Sequence, residues 1–170
     1  MRRIQHLSGA AIAAVLLCTA LAACDPQRVG KLEEGVSTEV DVRKQFGDPV
    51  TVTVAADGTR TLDYPRQPEG WTNYVISIGP DGTMSALRQL LNPDNFAKVQ
   101  PGMSQQQVQS ILGRPAKTTP YALKKEEVWD WRFKANGQES RLFSVSFDAA
   151  GKVVASATAD DPREAQAGGR

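Results

Sequence analysis

Histidine and cysteine are nearly missing from this chain. Among 170 residues there is one histidine, His6, and there are two cysteines, Cys18 and Cys24. All three fall at the N-terminal end, and only Cys24 survives the cleavage inferred below. The remainder can therefore form no internal disulfide, no Cys/His zinc site and no Ser-His-Asp or Cys-His nucleophile. Carboxylate, lysine and tyrosine chemistry is all that is left for catalysis, and neither a metal nor a cofactor is expected. A charge excess is absent too. The formal net charge is +1, with no basic run beyond the first three residues, which argues against nucleic acid as a partner. Composition is otherwise that of a globular protein, and the length suits one ordinary domain or two very small ones.

Long apolar runs are confined to the N-terminus. Arg2 and Arg3 precede an uncharged, almost wholly apolar stretch from Leu7 to Ala23. It is short for a transmembrane span and has the layout of a signal peptide. It ends in Leu21-Ala22-Ala23-Cys24, the pattern of a bacterial lipobox: a branched apolar residue, two small residues, then a thiol that accepts lipid. Residues 1–23 are thus expected to be removed, Cys24 to be lipidated, and residues 24–27 to form a tether. Several acyl chains hold a protein to a membrane where one would not, at about 0.8 kcal/mol per buried methylene. Loss of Arg2 and Arg3 takes the twenty basic residues to eighteen against nineteen acidic ones, formally −1.

The rest reads as an internal duplication. Gly35-Val36-Ser37-Thr38 answers Gly102-Met103-Ser104, one residue shorter in the second copy. Val42 to Pro49 answers Val108 to Pro115, Leu62-Asp63-Tyr64 answers Trp129-Asp130-Trp131, and Tyr74–Ile78 answers Phe143–Phe147. Residues 28–91 and 92–159 form the two units, and residues 160–170, polar and glycine-ended, are expected to be a disordered tail.

Each unit has its own start and stop signals. Ser104 with Gln107 makes a capping box. Val108, Ile111 and Leu112 form one helical face. Gly113 and Pro115 end the helix. Thr38, Val42, Phe46, Gly47 and Pro49 repeat the scheme. Asn92-Pro93 starts a shorter helix that buries Phe96 and Val99, with Val29 and Leu32 as counterparts. Alternation then predicts strands near Thr61–Tyr64, Asn73–Ile78 and Met84–Leu90, and again at Val128–Phe133, Leu142–Phe147 and Val153–Thr158, joined by Asp81-Gly82, Asn136-Gly137 and Ala150-Gly151 turns. The expected fold class is α+β: two tandem repeats, each of two short helices packed on a three-stranded antiparallel meander.

The run Phe96 to Ser104, followed by Val108 to Pro115, resembles the SmpA/OmlA (BamE-like) family of outer-membrane lipoproteins. The lipobox and Trp129-Asp130-Trp131 agree with it. The resemblance covers the mature chain as two copies of a unit that the family usually carries once. Tandem copies of a similar unit also occur in secreted β-lactamase inhibitor proteins. The resemblance implies a non-catalytic envelope lipoprotein, facing the periplasm from the outer membrane and contacting periplasmic or outer-membrane proteins, barrel-assembly subunits among them. Asp25, directly after the lipidated cysteine, is a signal for inner-membrane retention in some bacteria.

Candidate contact residues are few. Trp129, Trp131 and Phe133 share a strand face that core packing explains. Trp71, in the loop Pro68-Glu69-Gly70-Trp71, has no alternation partner; it is either a contact anchor or folded back on its own domain. Tyr121 is a similar case. Asp63, Asp130, Arg132, Ser144 and Ser146 lie on the other sheet face, which is either solvated or a polar protein-binding surface. Three functions compete: an accessory of envelope assembly, an inhibitor or binding module for an enzyme, and, last, a carboxylate enzyme, which would need two carboxylates about 5–9.5 Å apart. Replacing Cys24 by alanine is expected to move the chain from the membrane to the soluble fraction and to abolish incorporation of labelled palmitate.

Overall fold

The computed structural model describes residues 25–167. Cys24, the leader 1–23 and the last three residues lie outside the described residues. In chain order the elements are α1 (Asp25–Val29), α2 (Glu39–Phe46), β1 (Thr51–Val54), β2 (Arg60–Pro65), β3 (Asn73–Ile78), β4 (Met84–Gln89), α3 (Pro93–Phe96), α4 (Gln105–Leu112), β5 (Lys117–Tyr121), β6 (Glu126–Ala135), β7 (Glu139–Phe147), β8 (Val153–Asp160) and α5 (Pro162–Ala167). They build two antiparallel sheets, ordered β1-β2-β3-β4 and β5-β6-β7-β8. The fold is α+β in two repeat-like halves. No helix among the described residues is long and apolar enough to cross a membrane.

Each helix starts and stops as its sequence dictates. The Thr38 hydroxyl accepts from the Asp41 amide while the Asp41 carboxylate accepts from the Thr38 amide. Ser104 and Gln107 do the same for α4. Gly47 and Gly113, both at positive φ, end α2 and α4, a conformation that costs glycine little. The faces so positioned bury Val42 and Phe46 in one half and Val108 and Leu112 in the other.

Two separate cores result. The first joins Val42, Phe46, Leu62, Tyr64, Tyr74, Ile76, Ile78 and Met84. The second contains Leu91, Phe96, Val108, Leu112, Trp131, Phe133, Phe143, Val145 and Phe147. In the second core, Phe96 stacks on Phe143 at 4.3 Å and meets Phe133 edge-on at 4.7 Å.

The halves match bond for bond. The Tyr64 hydroxyl donates to the Gly47 carbonyl at 3.1 Å, and the Trp131 indole donates to the Gly113 carbonyl at the same distance. Gly35 donates to Met84 and Gly102 to Val153, both at 2.8 Å. Register shifts fall at Ser77/Ile78 and at Ser146/Phe147, so both sheets bulge at the same place.

Two expectations need correction, the strand count and the tail. Each meander gains a fourth strand: β1 pairs with β2, and β5 with β6. These strands are mostly exposed, so they carry no buried alternation to betray them. The tether is helical from Asp25, because Pro26 suits a first helical turn. The chain beyond 159 is not a loose tail: β8 runs to Asp160, Asp161 is only 2% exposed, and α5 follows.

Leu112→Ala would remove a fully buried side chain beneath the sheet and is expected to cost about 2–5 kcal/mol. Tyr64→Phe would lose only one hydrogen bond and is expected to cost about 1 kcal/mol. Chemical denaturation checks both.

Candidate functional site

The loop between β2 and β3 leaves its own half and docks on the other. Gln67, almost buried, sets its side-chain amide against the backbone of Arg132: Nε2 donates to the Arg132 carbonyl at 2.8 Å, and Oε1 accepts the Arg132 N–H at 3.2 Å. Arg132 lies on β6 just past the point where β5 begins its pairing, with Lys117 opposite Asp130. A side-chain amide thus continues the ladder where the neighbouring strand stops and satisfies an edge that would otherwise be open.

Around that contact sits a closed polar network. The Arg132 Nε donates to the Asp161 carboxylate at 2.6 Å, with both side chains almost fully buried. Its Nη1 donates to both the Pro68 and Glu69 carbonyls at 3.2 and 3.3 Å. The Trp71 indole donates to Ser140 Oγ at 2.7 Å, and Ser140 donates onward to Asp161 at 3.0 Å. The Trp71 ring lies beneath two cations, Arg132 at 5.1 Å and Lys134 at 4.4 Å, a geometry in which the ring quadrupole attracts charge. Arg163 closes the outside, donating from its backbone to Asp161 and from its side chain toward Pro68.

A second bridge stands nearby. Asn73, 2% exposed, donates from Nδ2 to the carbonyls of Leu112 and Arg114 at 2.8 and 2.9 Å. The C-terminus of α4 thereby rests on β3 of the other half.

Burial pushes the Asp161 carboxyl up. The hydrogen bonds from Arg132, the Arg163 amide and Ser140 outweigh it and hold the group below the ordinary value of 3.8. A carboxylate with a depressed native value adds stability above its unfolded value and loses it as pH falls through the native one.

Trp71 and Arg132 are therefore brought together, as parts of an internal joint. Trp71 packs on the other half of the same chain, which matches neither the partner contact nor the loop folded on its own domain that the sequence suggested. Arg132, expected on an open face, is buried. The other candidates stay apart from this network. Asp130 accepts from Ser144 at 2.6 Å on the face of the second sheet opposite its core, and Ser146 lies on the same face. Asp63 lies on the first sheet, where burial raises its carboxyl. Tyr121 is 48% exposed at the end of β5. No hydrogen bond joins Asp63 to Asp130 among the described residues, and these residues hold no cluster suited to a metal ion. Trp129, Trp131 and Phe133 pack in or against the second core.

Gln67, Asn73, Ser140 and Asp161 were missed. Asn73 and Ser140 carry no local signal. Asp161 did carry one, since an acceptor side chain directly before Pro162 is a helix-start pattern.

The same half that holds Arg132 and Asp161 carries the family signature. Residues 89–157 match the outer membrane protein assembly factor BamE domain. Over 90% of its length, an osmotically inducible lipoprotein described as OsmE is 30% identical to this chain, of which it spans 46%, with a TM-score of 0.37. The chain belongs to the BamE family. The BamE match takes in α3, α4 and β5 to β7 with most of β8; the first half, save residues 89–91, lies outside it. YjgB from Bacillus subtilis covers 80% of the chain and 86% of its own length at 18% identity and a TM-score of 0.33. A protein from Streptococcus mutans described as a β-lactamase inhibitor covers 79% of the chain and 94% of its own length at 13% and 0.31. Neither likeness bears on function. No curated protein matches the chain.

Arg132→Met is expected to cost about 3–5 kcal/mol, because it leaves Asp161 buried and unpaired. Asp161→Asn is expected to remove the part of the wild-type acid sensitivity that develops as pH falls below 3.8. Urea titrations at a series of pH values check both.

Proposed function

We propose that this chain is a non-catalytic accessory of the bacterial envelope, lipid-anchored at Cys24, that supports outer-membrane protein assembly by holding partner proteins. The BamE domain over residues 89–157 carries this reading. The lipobox supports the anchor. In this reading the folded part faces the periplasm from the inner leaflet of the outer membrane, as the BamE family implies. The joint supports the scaffold role: a partner meets two halves as one platform. The polar sheet faces with Asp63, Asp130, Ser144 and Ser146, together with exposed Tyr121, are the contact surface of this proposal.

The test is a deletion strain combined with affinity capture from gently solubilised membranes. Reduced levels of outer-membrane barrel proteins, increased detergent sensitivity and recovery of barrel-assembly subunits are expected. Normal barrel-protein levels and detergent resistance would overturn the reading. Fractionation showing the lipidated chain in the inner membrane, as Asp25 favours in some bacteria, would overturn the placement alone.

A further inference from the structure

The two outermost strands that begin each sheet are equivalent in the repeat but differ in surface chemistry. Thr51 pairs with Asp63, and Lys117 with Asp130. From there β1 reads Thr-Val-Thr-Val, and β5 reads Lys-Thr-Thr-Pro-Tyr. Lys117 and Pro120 are the usual devices that stop another chain from adding to an edge. The positions matching them in β1 are Thr51 and Val54. Val50, Val52 and Val54 are 67%, 43% and 63% exposed. The bond from the Ala55 amide to Thr59 directs Ala55, and by two-residue alternation Thr53, toward β2. Val52 and Val54 therefore present their own N–H and C=O groups to the open edge.

Acidic groups stand at both ends of this edge. Asp48, with a side chain 91% exposed and one carboxylate oxygen bonded to Arg43 at 2.7 Å, precedes it, and Asp57 follows in the turn to β2. A second copy pairing about Thr53 would bring Asp48 of one chain beside Asp57 of the other at each end, and like charges placed so are destabilising. A basic-ended strand meets no such penalty.

We propose that β1 is a docking edge for an extended segment of a partner polypeptide, apolar at alternate residues and flanked by lysine or arginine, which adds as a fifth strand to the first sheet. Backbone bonds to Val52 and Val54 supply the attachment, and the flanking charges select the segment.

The test uses the full chain in mild detergent and a fluorescein-labelled peptide, Lys-Lys-Val-Thr-Val-Thr-Val-Lys-Lys, followed by fluorescence anisotropy. A second peptide carries glutamate at both ends. Thr51→Lys and Val54→Pro each copy the protection found on β5, and Pro120 indicates that proline is tolerated there. The lysine-ended peptide is expected to bind, the glutamate-ended one to bind far more weakly, and each variant to weaken binding by about tenfold or more while the thermal midpoint holds. Asp48→Asn with Asp57→Asn is expected to reduce the salt dependence of binding. Failure of the wild type to bind, equal binding of both peptides, or full binding by Val54→Pro with its fold intact would overturn the proposal. So would a sedimenting dimer that Val54→Pro dissociates.

Discussion

The pair formed by Arg132 and Asp161 is the contact on which the arrangement of the two halves depends. Desolvation offsets much of the attraction in a buried ion pair, so such a pair contributes position more than net stability. Here it fixes the position of everything around it. Asp161 orients Arg132 and Ser140. Ser140 receives the Trp71 indole, and Arg132 lies over the Trp71 ring and reaches the carbonyls beside it. The β2–β3 loop of the first half is thereby clamped to β6, β7 and the residues after β8. Loss of any one member leaves another buried polar group without its partner, at about 1–3 kcal/mol for a neutral group and more for a charged one.

Each half repeats the same local devices: a capping box, a terminating glycine, an aromatic donor to that glycine's carbonyl, and a bulge before the last strand. What differs is what each half does with its surface. The second half lends β6 and β7 to the joint and carries the BamE match. The first supplies the docking loop and keeps an unprotected strand edge. The two halves share one arrangement of strands and helices and differ in side chains where these do not hold that arrangement.

Periodicity and turn chemistry made α2, α3, α4 and the strands β2 to β4 and β6 to β8 legible, through alternation along the strands and through Ser, Thr, Asn, Gly and Pro at their ends. β5 was not legible, since it is mostly exposed and has no buried face to mark it. The joint was half legible. Trp71 stood out as a large aromatic without a local partner, and Arg132 by its place on a strand face. Nothing local announced that these two residues, 61 positions apart in the chain, would meet. Asn73 and Ser140 become informative only when the halves are placed together, because their bonds cross between units that local patterning treats separately.

The central claim is that the polar joint couples two cores into one cooperative body. Scanning calorimetry of the full chain at neutral pH tests it most directly. The account predicts one transition whose calorimetric and van't Hoff enthalpies agree. Two resolved transitions, each with the enthalpy of a single half, would contradict it.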